Sequence, residues 1–361
     1  MAGFCETPAL ERPMSHACWT IENYSLRPCP RPERQFTFAV SLHNHSCHSV
    51  EDLSALNEVV RLWFMRPWSG ALRKAFGLGH VRNLDYAELQ YQPPFAPEDV
   101  WRMEAGAAAS LGLDGIHLGI TDHDEYAGSL ALLESRPADG RRIPLGEELT
   151  LRFEDHLFHL GLTGLPASGI ARTHAALQAA VRGGRLDEVF ETLRSSGCLV
   201  VLNHPLIPWR GHREIPAEAL VKRYGWAIHA LEFNGMRRLD ENTGVLELAR
   251  RLGKPVVGGG DSHLLLASSV INGSRAESFD EFAAEVKEGR AAPLIKSDYF
   301  APLGWKLFLR VLYFIGRYRQ IARFRGQPVS RMLAHRTVLL DPVGCASRGF
   351  LNLVSALGLA R

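Results

Sequence analysis

The chain has 361 residues, of which 46% are hydrophobic and 22% charged, a globular composition with enough chain to bury a substantial core. Its formal net charge of +2 excludes a global field that would favour nucleic acid. Six scattered cysteines without a C-x-x-C pair argue against a disulfide framework and for reduced thiols in the cytoplasm, and no long apolar run predicts a secretory signal or a transmembrane segment.

Residues 1–35 are rich in proline and read as an irregular N-terminal arm. A strand is expected from Phe36 to Leu42. If it continues through His43 and His45, the two rings fall on one face, because side chains in a strand alternate with period two. Leu53 to Phe64 shows helical periodicity. An insertion at 61–96 carries arginines and aromatic residues and ends in Pro93 and Pro94. A helix is predicted from Pro97 through Leu111, with Pro97 in its first turn and Gly112 after its end.

Short apolar strands and helices then alternate. Strands are expected at Gly115–Thr121, Ile143–Thr150, Leu157–Leu162, Cys198–Asn203, Ala227–Phe233 and Pro255–Gly258. Helices are expected at Leu186–Ser195, Ala217–Tyr224, Glu241–Leu252 and Phe279–Gly289. This alternation predicts an α/β fold with a parallel sheet, seven strands fitting a closed barrel. The divisions expected are the arm at 1–35, a main domain at 36–295 and a C-terminal extension at 296–361. From 301 onward ten Lys/Arg face Asp341 alone. Lys306, Arg310 and Arg317 form one stripe of a helical pattern, opposite an apolar face with Trp305, Phe308 and Leu312. Such a helix suits docking on the barrel or a second subunit, or lying on an anionic membrane surface.

His43, His45, His123, Glu148, His159, His204, Asp261 and His263 all stand at the C-terminal ends of expected strands, where α/β folds keep their chemistry. Imidazole and carboxylate donors without thiolate suit Zn²⁺, Mn²⁺ or Fe²⁺. They are too numerous for one tetrahedral ion, so two or three ions bridged by a carboxylate such as Glu148 use them better. Clustered ions of that kind activate water for phosphoester hydrolysis.

The ordered set His43-x-His45 with Ser49, Gly112 to Gly115 followed by Thr121 to Asp124, Glu148 after Gly146, His204 before Pro205, and Asp261-x-His263 resembles the motifs of the PHP (polymerase and histidinol phosphatase) family over about residues 38–290. The resemblance implies a distorted seven-stranded (β/α) barrel, a trinuclear metal site and a metal-dependent phosphoesterase working through a metal-activated hydroxide. His43, His45, His123, Glu148, His204, Asp261 and His263 would be ligands, with His159 the histidine of the next strand and His156 its alternative. The family's first motif carries an aspartate where this chain has Val50, so Glu51 would have to serve. Asp124 or His48 would protonate the leaving group, and Arg237 and Arg238 would pair with a substrate phosphate. The expected substrate is a small phosphorylated molecule, with a nucleotide or oligonucleotide a second class. A non-phosphate ester or amide substrate, and a non-catalytic protein with a degenerate metal site, are the alternatives.

Overall fold

The computed structural model describes residues 18–52, 57, 70, 89–91, 93, 95–207, 215–263, 267–302, 304–306, 333–335 and 338–339. Strands β1 (Cys18–Glu22), β2 (Ser25–Pro28) and β3 (Phe38–Ser41) come first. Strands β4 (Glu51–Asp52) and β5 (Leu89–Tyr91) follow, then helix α1 (Pro97–Ser110), β6 (Gly115–Leu118) and α2 (Ala127–Ser135). The hairpin β7 (Gly146–Phe153) and β8 (His156–Thr163) leads to α3 (Ile170–Arg182) and α4 (Leu186–Ser196). Next come β9 (Leu199–Asn203), α5 (Ala217–Tyr224), β10 (Ala230–Asn234), α6 (Leu239–Leu252) and β11 (Val256–Gly259). The series ends in β12 (Val270–Ser274), α7 (Phe279–Lys287), β13 (Pro293–Lys296), β14 (Leu333–His335) and β15 (Val338–Leu339).

Three sheets form. One is ordered β2-β1-β13-β12-β3-β6, one β11-β10-β9-β8-β7, and one β15-β14-β5-β4. The sequence predicts an all-parallel arrangement, but β8 runs antiparallel to both β7 and β9. The turn at 154–155 is too short for a crossover, so the two strands fold back as a hairpin. Pairs β3–β6, β9–β10 and β10–β11 are parallel. Among the described residues the expected seven-stranded barrel does not close as one ladder. Instead, isolated parallel bridges at Asn44–Ser262 and His123–Glu148 join the first sheet to the second at both margins.

Residues 18–35 are not an irregular arm. Strand β1 pairs antiparallel with β2 and β13, and Trp19 is buried against Phe300, ring centroids 4.7 Å apart. Pro28 is β2's last residue and Pro32 opens the 3-10 turn Pro32–Arg34, positions where a missing N–H costs little. The expected helix at 53–64 and nearly all of the 61–96 insertion lie outside the described residues.

Alternation sorts the second sheet into two faces. Leu149, Leu151, Phe158, Leu160, Leu162, Val200, Leu202, Leu231 and Phe233 pack with the helices in one apolar cluster. Val40, Leu42, Leu199, Val201, Ala230 and Val257 form a separate inner cluster. Glu148, His159, Asn203, Glu232 and Asn234 have the inner parity. Each fully buried Leu or Phe contributes about 1.5–3 kcal/mol, which holds the polar inner rim in register. Helix α1 buries Val100, Trp101, Glu104, Ala107 and Ala108, one stripe at helical spacing.

The C-terminal extension differs from its predicted pattern. Lys306 is buried, its ammonium donating to Gly235 O (3.2 Å) and Tyr299 O (3.0 Å), whereas Trp305 is 43% exposed. Backbone carbonyls and the Tyr299 ring, 4.8 Å away, satisfy the cation. Residues 307–332, the rest of the predicted amphipathic helix, lie outside the described residues.

Candidate metal centre

Strand β3 ends at Ser41, so His43 and His45 stand on a loop and not on a continuing strand. The loop is nonetheless pinned as a strand would be. His45 N donates to Ser262 O (3.1 Å), and Asn44 Nδ2 donates to Ser41 Oγ and Gly119 O, both 3.0 Å. Both rings therefore face the same way, with centroids 5.0 Å apart. The next loop is tied to this one by the buried Asp122, whose carboxylate accepts from Ser46 N (2.5 Å) and Ser46 Oγ (2.7 Å).

Glu148 is the hub. Its Oε2 lies 3.1 Å from His43 Nε2, 3.4 Å from His45 Nε2 and 3.2 Å from His123 Nδ1. Its Oε1 lies 3.3 Å from both His159 Nδ1 and His204 Nε2, and accepts from Asn203 Nδ2 (2.9 Å). Asp261 closes the other side, its Oδ1 3.8 Å from His43 Nε2, 3.9 Å from His45 Nε2 and 2.5 Å from His263 Nε2. Among the described residues three donor groups are compact enough for an ion: His43, Glu148 and His204; His43, His45 and Asp261; His45, His123 and Glu148. Not every member ends a strand. Glu148 is the third residue of β7 and His159 the fourth of β8, because the hairpin overshoots the rim on which β9 to β11 end. His204, Asp261 and Asp124 have φ of 29°, 49° and 50°, a left-handed conformation that costs free energy for residues with a Cβ and clusters at functional positions.

Burial works against charge here, yet the charges win. Burial lowers the pKa of His43, but the carboxylates of Glu148, Glu232 and Asp261 raise it well above its ordinary value. Burial raises those of Glu148 and Asp261, but the surrounding imidazoles hold both carboxyls well below the usual range. His159 goes the other way, burial lowering its pKa despite Glu148. His43 Nε2 and Glu148 Oε2 are buried and 3.1 Å apart, and neither makes a geometrically aligned hydrogen bond to a group among the described residues. Such atoms are rare in native proteins unless something else satisfies them. A divalent cation fits: the donors are imidazole nitrogens and carboxylate oxygens, and the local charge is negative.

The remaining candidates separate. His159, not His156, reaches Glu148, because His156 has the parity of Phe158 and packs against that ring at 4.8 Å. His48 is exposed on the turn beside the cluster, next to Ser49, and Val50 is 58% exposed. The backbone of Glu51 begins β4, and its side chain lies outside the described residues. Asp124 Oδ1 accepts from Thr150 N (2.9 Å) and Gln178 Nε2 (3.2 Å), which ties it to the hairpin and α3. Arg238 is exposed and its Nε and Nη2 donate to Asp240 at 3.2 Å, so it belongs to the start of α6. Arg237, beside it, has a buried Nε with no hydrogen-bond partner among the described residues. Sequence reading missed roles for Asp122, Asn203, Glu232 and Asn234. The available signal was their position at strand ends among ligand candidates.

No protein-family model matches the chain, and no curated protein matches it. Solved structures do. A protein from Bifidobacterium adolescentis assigned as a metal-dependent phosphoesterase is 20% identical over 53% of this chain and 90% of its own, with a TM-score of 0.37. A two-domain protein from Bacteroides vulgatus with an assigned PHP-like metal-dependent phosphoesterase is 15% identical, covering 72% of this chain and 64% of that one, with a TM-score of 0.44. The lesion-specific endonuclease of Pyrococcus furiosus is 13% identical, covering 69% and 56%, with a TM-score of 0.37. No described helix is long and apolar enough to cross a membrane.

Proposed function

We propose that this chain is a metal-dependent phosphoesterase of the PHP type, hydrolysing a phosphomonoester or phosphodiester. The observation that carries the reading is the Glu148 carboxylate, with five imidazole nitrogens from four separate sequence motifs within 3.4 Å. Those motifs are the ones that resemble the family. The two bridges between the sheets fit a distorted seven-stranded barrel that is incompletely laddered.

In this reading His43, His45, His123, Glu148, His159, His204, Asp261 and His263 hold two or three divalent ions, zinc, manganese or iron. Ions so held supply an activated water and offset charge on the phosphoryl oxygens. The chain's own residues do the rest. Asp122 and Asn44 fix the two ligand loops in place, so the donors need not reorganise. His48 stands exposed at the rim as the group that protonates the leaving oxygen. Asp124, occupied by Thr150 and Gln178, holds the hairpin that carries Glu148. Arg237 pairs with a substrate phosphate, and Arg238 does not. The side chains of Cys18, Cys29, Cys47 and Cys198 are buried, and a cytoplasmic location rests on cysteine usage in the sequence alone.

The test is to load the purified protein with zinc, manganese or iron in turn. Each form is then assayed against phosphomonoesters, phosphodiesters, nucleotides and carboxyl esters. Turnover of a phosphate ester that chelation abolishes is expected. Turnover confined to carboxyl esters would replace the reaction, and bound metal without any turnover would leave a binding protein.

A further inference from the structure

Strand β10 ends in Glu232-Phe233-Asn234, and neither polar residue has a role in the ligand set above. Both are buried with inner parity. Glu232 Oε1 lies 2.7 Å from His43 Nδ1. Its other oxygen, Oε2, accepts from His204 N (2.8 Å) and Asn234 Nδ2 (2.9 Å). Asn234 Nδ2 also donates to Asp261 Oδ2 (3.1 Å). Asn234 is itself locked, its Oδ1 accepting from Met236 N (2.8 Å) and its backbone N donating to Asn242 Oδ1 (3.0 Å). One strand end thus touches three ligand candidates, His43, His204 and Asp261, each from the side away from the Glu148 hub or through its backbone.

We infer that Glu232 and Asn234 are positioning residues that set the His43 tautomer and the orientation of Asp261 for metal binding. The inference rests on the metal reading above. A carboxylate that already accepts two hydrogen bonds on Oε2 presents an acceptor at Oε1, so His43 Nδ1 carries the proton. The lone pair of Nε2 is then left facing Glu148 and Asp261. Asn234 holds Asp261 Oδ2, leaving Oδ1 for the side where His43, His45 and His263 converge. Gly259 belongs to the same device: a Cβ there would overlap Glu232 Oε1, so the strand next to β10 must lack a side chain at that point.

The replacement Glu232→Gln is isosteric but cannot satisfy both sides. Its single oxygen can face either His43 or the two donors on Oε2, and its amide then opposes an N–H in the other direction. The expected result is a fall in zinc affinity of about 10–100-fold, the scale for losing a partner behind a metal ligand. Nitrogen-15 histidine spectra of the zinc-loaded wild type should show a proton on His43 Nδ1 shifted downfield by the carboxylate, and that signal should be absent from the variant. Asn234→Ala, with Glu232 intact, should keep the His43 signal and still lose zinc affinity through Asp261. Circular dichroism establishes that each variant is folded. Wild-type zinc affinity together with an unchanged His43 signal in Glu232→Gln overturns the inference. If that variant does not fold, undiminished affinity in folded Asn234→Ala overturns it instead. A wild type that takes up no zinc, manganese or iron overturns the metal reading beneath it, and the inference with it.

Discussion

His123 and Glu148 meet twice. Their backbones form a parallel bridge, with Glu148 N donating to Asp122 O (3.0 Å) and Asp124 N to Glu148 O (2.9 Å). Their side chains meet again, Nδ1 to Oε2, at 3.2 Å. The same two residues thus join two sheets and contribute to the candidate metal centre. The Asn44–Ser262 bridge repeats the arrangement opposite, between His43 and His45 on one loop and Asp261 and His263 on the other. Ligand geometry and sheet closure are therefore one problem, and perturbing either perturbs both.

Replacing His43 and His45 together by alanine should reduce bound divalent metal to below about a tenth of wild type and abolish hydrolysis, since each of the three compact donor groups found among the described residues loses at least one member. Elemental analysis of the purified variant, alongside turnover, checks this. Retained metal and full activity would remove the basis of the proposed function.

Gly259→Ala should cost about 1–3 kcal/mol, the usual penalty for overpacking, because the added methyl meets Glu232 Oε1. A urea titration measures the stability change. Zinc affinity should fall in the same variant, since Glu232 cannot move without releasing His43.

His117 makes stability pH-dependent. Its Nε2 donates to Ala276 O (2.9 Å) and its ring is fully buried. Burial pushes its pKa down from 6.5 to about 4. Between those values the unfolded chain binds a proton that the folded chain refuses, so stability is full above about pH 6.5 and falls as pH drops toward 4. The loss is about 3 kcal/mol, at 1.36 kcal/mol per unit. His229, also lowered to about 4 by burial and then by Lys287 and Lys254, acts in the same direction. Urea midpoints at pH 7.5 and 4.5 should show the decline, and His117→Gln should shrink it. A variant with an undiminished decline would refute this assignment.

Trp19→Ala should destabilise the protein by about 3–5 kcal/mol, the range for a large buried aromatic, as Trp19 is 2% exposed and lies in the sheet. Thermal denaturation distinguishes this from an irregular arm, whose truncation would change the melting temperature little.

Lys306→Met should lower stability by about 1–3 kcal/mol, because Gly235 O and Tyr299 O lose a charged donor. A negligible change would return Lys306 to the basic surface stripe that its sequence pattern suggested.

Much of the candidate site was legible in the sequence, because imidazole and carboxylate identities are local and their order along the chain is a motif. His43, His45, His123, Glu148, His159, His204, Asp261 and His263 needed no coordinates to be nominated. Local signals also located α1, from Pro97 and Gly112 at its two ends, and α5, α6 and most of the strands, from the alternation of helical stretches with short apolar ones. Other features are relational. That β8 runs antiparallel, that Trp19 docks on β13's sheet, and that Lys306 turns inward depend on neighbours far along the chain. The choice of His159 over His156 followed only once strand parity was fixed by the packing of Phe158 and Leu160. Glu232 and Asn234 are ordinary polar residues until the fold sets them behind His43 and Asp261, for a hydrogen bond between residues 189 positions apart leaves no trace in either residue's local pattern.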